Sequence, residues 1–448
     1  MFTSTAHPAP PRSRRPGARP LTMAVALASL AFGANMAGPL YPGYQARLGF
    51  DDLTLTVIYA VYAVVSVPAL LVLGPLGDRI GRVRMVRAGL VVAALGSVCF
   101  AIGDGVAWLV AGRALQGIAL GAATGAGMAV LADTVSSTRR RRFAAAGALA
   151  FLAGTAAGPG LTGLVAEFAP APAPHATVHL LHVVLVAVVS VRLGRTPGPL
   201  PVGTLGGRPQ AAPQLPVGSR EPFLAAMANG FVSWAVAGLF LGLVPSVLAR
   251  GAGDVGTAAL GAVAALVVLA SLPAQGLLTR LGAVRAQRYG LGLLGTGLVV
   301  LVVSGGSAPL PVVLGTAAVA GFGHGLAYGG AHGVVETIAV GDRAAGLTAT
   351  AYVVYYLGAG LPTVAVGLLT AVLPLGSATG ALAGVLLVAA VAAAVPTRRF
   401  AVAGTRVHRR TDAEDSPLGD VADLIRGMLW GMHQANGILH GRTTPGRS

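Results

Sequence analysis

The sequence predicts an all-α integral membrane protein with twelve transmembrane helices in two pseudo-symmetric six-helix halves. Three observations carry this reading. First, 54% of the residues are apolar and 10% charged, and mean hydropathy is +0.75, which excludes a soluble globular chain. Second, apolar runs of about 20 residues, the length that crosses a bilayer, recur along the chain between short arginine-bearing loops. Third, the second half of the chain repeats an arginine and glycine pattern of the first. In 448 residues, a dozen spans leave no room for a separate enzyme.

The segment to about residue 20 places Arg12, Arg14, Arg15 and Arg19 among prolines and reads as a disordered basic tail. The run from Leu21 to about Pro42 is long for a signal sequence and lacks a small-residue cleavage site, so it reads as an uncleaved first span. Five further spans fit at about 53–76, 85–103, 106–131, 143–167 and 176–193, completing an N-terminal half over 21–194. The sixth is short and carries His175, His179 and His182 near its start. A Pro/Gly-rich linker over 195–220 follows. Six more spans, at about 222–248, 256–278, 287–304, 309–338, 346–372 and 377–396, then make a C-terminal half over 221–396. Residues 397–448 form a second tail. Within it Ser416-Pro417 starts an amphipathic helix over about 417–432, suited to the membrane surface or to capping the bundle.

All 31 basic residues are arginine, and they alternate from one side of the bundle to the other. One side receives the N-terminal tail, Arg79 to Arg87, Arg139 to Arg142, the linker, Arg280 to Arg288, Arg343 and the C-terminal tail. The positive-inside rule therefore predicts two cytoplasmic termini in the cytoplasmic membrane. Arginines confined to short loops and tails argue against a nucleic-acid partner. Cys99, the one cysteine, allows neither an internal disulfide nor a thiolate metal site. No metal or cofactor is expected, and the expected partners are a small-molecule substrate, protons and the lipid bilayer, with the chain monomeric.

Sliding the chain against itself by 201 positions places Leu76, Arg79, Gly81, Val83, Arg84, Arg87 and Gly89 on Leu277, Arg280, Gly282, Val284, Arg285, Arg288 and Gly290. Asp78 falls on Thr279, so the second copy lacks the carboxylate. A shift of 203 places Asp133 on Glu336, Arg140 on Arg343 and Pro159 on Pro362. Asp133 and Glu336, at paired cytoplasmic ends, are candidates for gating ion pairs with loop arginines such as Arg343.

The stretch Gly74-Pro75-Leu76-Gly77-Asp78-Arg79-Ile80-Gly81-Arg82 reads as a charged tight turn between the second and third spans, with an aspartate that neighbouring arginines neutralise. It closely resembles the loop signature of the major facilitator superfamily of secondary transporters. That resemblance implies the major facilitator fold, rocking-type alternating access, and a gate at Gly74, Asp78, Arg79, Gly81 and Arg82. The run from Leu109 to Gly121, with Arg113 and Gln116, is similar to the family's fourth-span signature, whose arginine is implicated in proton or substrate handling. Arg113 lies a turn or two inside its span, so snorkelling to the surface is the alternative. Gly154, Gly158, Pro159 and Gly163 resemble the fifth-span signature of the family's drug/proton antiporters, with Thr162 in place of one glycine. Small residues four apart and a proline suit a hinge, shared with Pro362, and also suit ordinary close packing.

Polar and aromatic candidates for the substrate or proton pathway are Asn35, Tyr59, Tyr62, Arg113, Gln116, Asn229, Trp234, His324, Tyr328, His332, Tyr352, Tyr355 and Tyr356. His324, Tyr328 and His332 recur every fourth residue, one stripe of a helix, with Tyr352, Tyr355 and Tyr356 expected opposite. No acid lies mid-span, which argues against a dedicated cation site and leaves histidine as the group titrating nearest physiological pH. The expectation is a secondary active transporter, exporting by proton antiport. An uptake symporter or uniporter for a neutral or anionic metabolite, with Arg113 as counter-charge, and a non-transporting membrane sensor or scaffold are the alternatives.

Overall fold

The computed structural model describes residues 18–133, 137–168, 174–195, 215–216, 218–251, 255–339 and 344–400. The expected N-terminal tail to residue 17, linker residues 196–214, Arg343, and the tail beyond 400 with its amphipathic helix lie outside the described residues. Among those described, all regular structure is helical, and twelve stretches are long and apolar enough to cross a membrane.

The first six spans are built by α1 (Ala18–Asn35) with α2 (Tyr41–Leu48), α3 (Asp52–Ile80), α4 (Arg82–Ile102), α5 (Val106–Asp133), α6 (Ser137–Phe168) and α7 (Pro174–Arg195). The second six are α8 (Arg220–Gly238) with α9 (Val244–Gly251), α10 (Thr257–Leu269) with α11 (Ser271–Leu281), α12 (Ala283–Ser304), α13 (Leu310–Ile338), α14 (Ala344–Leu369) and α15 (Leu375–Phe400). Valines and leucines such as Val64, Val72, Val184, Val303 and Val388 stay exposed on the flanks, where hydrocarbon rather than water is the fitting solvent.

Several boundaries differ from the expected ones for local reasons. The first span continues past Pro42 to Leu48, because Pro39 and Pro42 each sit in the first turn of a helical segment, where a missing N–H costs nothing. The seventh runs from Arg220 to Gly251 through a wide π turn at Leu239–Leu243. There glycine is required, since a Cβ at Gly242 would lie 2.5 Å from the Tyr59 ring. Asp51 caps α3 by accepting from the Thr54 amide at 2.8 Å, and its hydrogen bonds to Thr54 hold its carboxyl below the usual carboxylate range.

The charged stretch at residues 74–84 is not a tight turn. Helix α3 persists through Pro75 and Gly77 to Ile80, with open space around Gly74, and the chain bends only at Gly81 (φ 103°). Its repeat partner Gly282 (φ 73°) makes the matching bend between α11 and α12. Side chains with a Cβ rarely adopt such angles, so both copies need glycine there.

The repeat extends into the packing. On α5, Gly117 and Gly121 meet α3 at the Tyr62 and Ser66 carbonyls, and on α13 Gly321 and Gly325 meet α10–α11 at the Val267 and Ser271 carbonyls. A Cβ at Gly158 would come within 2.7 Å of the Phe32 carbonyl oxygen, and Gly154 packs as closely on Ala28, so α6 leans on α1. Gly358 packs in the same way on Phe231 of α8. Gly163 serves a different contact, because a Cβ there would be 2.6 Å from the Thr257 carbonyl of α10, across the two halves.

Candidate functional site

The two halves meet closely at the end of the bundle opposite the arginine-rich bends. Arg250 of α9 forms an ion pair with Asp52 at the start of α3 and donates to Gln45 Oε1 at 3.0 Å. Gln45 in turn donates to Asp52 at 3.0 Å. The Glu167 carboxylate at the end of α6 accepts from the Ala258 amide in the first turn of α10 at 3.3 Å, a favourable place for an anion. Beneath this layer Gly242 abuts Tyr59 and Gly360 abuts Ala63. Asp52 and Arg250 gave no sign in the sequence beyond being loop charges, because nothing local to either marks the other as its partner.

Arg113 lies below that closure, seven residues or about 10 Å along α5. It is 1% exposed, so it does not snorkel. Its guanidinium donates to the Ala34 carbonyl at 2.6 Å, to Gln116 Oε1 at 2.8 Å and to the Tyr59 carbonyl at 3.3 Å. The Tyr62 ring covers it at 4.2 Å and the Tyr59 ring at 5.4 Å. No carboxylate pairs with it among the described residues. The charge is held by carbonyl dipoles and ring faces, leaving Arg113 Nε, Gln116 Nε2 and the Tyr59 hydroxyl without a protein partner there.

The second cluster lies on α13, mid-bundle. His324, Tyr328 and His332 form one stripe, with ring centroids 5.6 Å and 5.9 Å apart. Trp234 of α8 stands edge-on to His324 at 5.1 Å and to Tyr328 at 5.4 Å. Tyr355 meets Tyr328 at 5.4 Å and Tyr352 meets His332 at 6.0 Å, both from α14. Tyr356, expected beside them, instead packs on the larger apolar core, since consecutive helical positions are about 100° apart. His324 is fully buried, its Nδ1 2.7 Å from Ser233 Oγ and its Nε2 without a protein partner. His332 Nε2 lies 3.5 Å from Glu336, one turn along the helix.

Among the remaining candidates, Asn35 donates to the Ala31 carbonyl of its own helix at 2.8 Å and joins neither cluster. Asn229 is fully buried and donates to Gln287 of α12, a residue the sequence reading passed over because a glutamine near a loop end looks solvated. Asp78 pairs with Arg82 at 2.7 Å across the Gly81 bend, with both side chains partly exposed. Asp133 ends α5, but its side chain, like Arg343, lies outside the described residues, so the two carry no geometry here. Pro159 and Pro362 stay inside α6 and α14.

The sequence profile of the Major Facilitator Superfamily matches residues 23–363. The chain is 32% identical over 125 residues to an uncharacterized MFS-type transporter, YwfA, of Bacillus subtilis, covering 27% of this chain and 30% of that protein. It is 30% identical over 179 residues to a probable vesicular acetylcholine transporter-B of Danio rerio, covering 37% and 36%. The aligned stretches thus span about a third of these relatives' length. A crystal structure of a POT family transporter in complex with 5-aminolevulinic acid superposes with a TM-score of 0.70 over 87% of this chain and 98% of that one. At 13% identity this likeness concerns the fold alone.

Proposed function

Because the chain belongs to the Major Facilitator Superfamily, we propose that it is a multi-pass secondary transporter, not an enzyme, moving a small molecule across the cytoplasmic membrane by alternating access. The direction is export, coupled to protons entering in exchange. Both termini are cytoplasmic, so the arginine-rich bends face inward and the closed layer of Asp52, Arg250 and Glu167 faces out.

The observation that carries the reading is the pairing of this outer closure with polar clusters beneath it. Ion pair, helix cap and glycine contacts seal one end across the two halves, as one access state requires. The gate residues Gly74, Asp78, Arg79, Gly81, Arg82 and Glu336 lie at the other end, with Asp78–Arg82 straddling a bend that rocking would work against. Trp234, Tyr328, Tyr352 and Tyr355 offer an aromatic wall for substrate. His324 and His332 are the proton carriers, because imidazole exchanges a proton without the burial cost of a permanent charge.

A second reading is uptake or downhill passage of an anionic metabolite, favoured by the fully buried Arg113 with no acid partner among the described residues. Proteoliposome flux under imposed pH gradients separates the two. Antiport is expected to make uphill flux depend on the gradient. His332→Ala, and secondarily His324→Ala, should then abolish uphill flux while downhill exchange survives. If a collapsed gradient makes no difference and both variants move substrate like the parent, the antiport reading fails and the facilitated alternative replaces it. A chain that moves nothing under any gradient would be a sensor or scaffold. Reporter fusions at Gly206 test the orientation, and a signal from outside there would remove it.

A further inference from the structure

Three imidazoles lie away from both clusters, on one face of α7. His175, His179 and His182 follow at i, i+4 and i+7, a single helical stripe. Each stacks on an aromatic ring from a different element: His175 on Tyr44 of α2 at 5.2 Å, His179 on Phe100 of α4 at 4.9 Å, and His182 on Phe32 of α1 at 5.7 Å. The stripe begins at the outer end of the bundle, where His175 is half-buried. It ends at His182, about 10 Å further in and 1% exposed.

The polar atoms of the stripe are unevenly provided for. His179 is fully buried, yet neither ring nitrogen has a hydrogen-bond partner among the described residues, an unfavourable condition that water can relieve. His175 Nδ1 is likewise without one. His182 is different, with Nε2 3.0 Å from the Ser29 carbonyl and Nδ1 2.7 Å from Ser97 Oγ. A carbonyl only accepts, so Nε2 carries the hydrogen and Nδ1 accepts from the serine hydroxyl. A hydroxyl can reverse. His182 can therefore take up a second proton and keep both hydrogen bonds, with Ser97 turning from donor to acceptor.

The charged and titratable groups around the stripe are few. On α2, Tyr44 donates to the Phe100 carbonyl at 3.2 Å, and the Arg47 guanidinium lies over the Tyr44 ring at 5.4 Å while donating to the Gly103 carbonyl at 2.7 Å. Helices α1 and α4 present Ser29, Phe32, Gly33, Ser97 and Phe100. Behind α1 stands Arg113, held by the Ala34 carbonyl.

We propose that the α7 histidines are a water-assisted proton inlet from the outer face that ends in a protonation site at His182. A hydronium at the outer mouth gives up its proton along His175 and His179, each pair of rings one turn apart and within reach of a bridging water. A new N–H bond forms at His182 Nδ1 and water is left outside, with nothing oxidised or reduced. Gly33 lies against the His182 ring with no room for a Cβ, and the next carbonyl along α1 holds Arg113. A proton arriving at His182 thus acts on the helix that anchors the buried guanidinium. This site is separate from the α13 stripe and stands whether or not that stripe carries protons.

The test is nitrogen NMR on full-length protein labelled in its histidine rings, in nanodiscs, with the proton itself as probe. The His182 signals are assigned by their loss in His182→Asn. Between about pH 8 and about pH 5, His182 Nδ1 is expected to move from the acceptor to the protonated position. In Ser97→Ala, which keeps the packing, proton binding should weaken about five- to tenfold, because the acceptor for the new N–H is gone. In His179→Phe, which keeps the stack on Phe100, proton exchange at His182 should slow at least tenfold with its midpoint unchanged. A His182 that stays neutral to pH 5 in the parent overturns the site. Unaltered exchange in His179→Phe overturns the inlet.

Discussion

Corresponding positions on α5 and α13 carry opposite kinds of chemistry on one scaffold. The glycine contacts fix the register, with Gly117 and Gly121 matched by Gly321 and Gly325, a shift of 204. At that shift Arg113 and Gln116 correspond to Ala317 and Ala320, while His324, Tyr328 and His332 correspond to Leu120, Thr124 and Met128. Their surroundings have followed. In the α3 contact Ser66 matches Ser271, so Tyr59 and Tyr62 correspond to Ala264 and Val267 of α10, whose side chains have no ring face to cover a guanidinium. Backbone approach and bends are copied, because glycine contacts tolerate nothing else. The polar contents are not, so α5 keeps a fixed charge and α13 a titratable column.

Moving the charge should break the comparison most severely. Arg113→Met strands two buried carbonyls and the Gln116 amide, and charge-assisted bonds of this kind are worth about 1.5–3 kcal/mol each, so flux in proteoliposomes is expected to fall at least ~100-fold. Adding Ala317→Arg to Arg113→Ala should not restore it, since Ala264 and Val267 offer no ring faces there and Ala320 stands where Gln116 supplies an oxygen. Recovery of flux in the double variant would mean that the halves are interchangeable after all.

Next in size is the closure opposite the arginine-rich bends. Arg250→Gln removes the cation that joins α9 to Asp52, and a bias of about 1.4 kcal/mol moves the access equilibrium tenfold. Spin-label distances between α2 and α9 should show a larger open population in Arg250→Gln, and the charge swap Asp52→Arg with Arg250→Asp should return it to the parent value. Identical distance distributions in parent and single variant would leave the pair without a gating role.

Asp78→Asn sharpens the comparison at the opposite end. The Asp78–Arg82 pair is partly exposed, and such pairs contribute about 0–1 kcal/mol, so thermal stability should hardly change. Transport, which depends on the balance between states, is expected to fall strongly in the same flux assay. The smallest effect belongs to Thr279→Asn, where the second copy already lacks the acid, and parent-like flux is expected. A large loss there would show that the second bend gates as much as the first.

What could be read from sequence divides along the same line. Span count and repeat were legible because bilayer thickness and glycine spacing write themselves into local composition. The α13 stripe was legible too, being a period within one helix. The partners were not. Ser233 for His324, Gln287 for Asn229 and Arg250 for Asp52 each lie more than fifty residues from the group they meet, and only packing brings them together. The three α7 histidines counted against their span when read as polar intruders. Their spacing of four and three was the available signal, since it puts them on one face rather than around the helix.

The edge-on stack at Trp234 gives the protein a built-in optical reporter. The chain has three tryptophans: among the described residues Trp234 alone touches the α13 stripe, Trp108 is 41% exposed at the end of α5 away from the arginine-rich bends, and Trp430 lies outside the described residues. Imidazolium quenches indole emission far more than neutral imidazole, and the His324 ring is 5.1 Å away. With Trp108 and Trp430 replaced by phenylalanine, the emission intensity of the unlabelled protein would read the charge on His324, and a flash of acid would time its arrival.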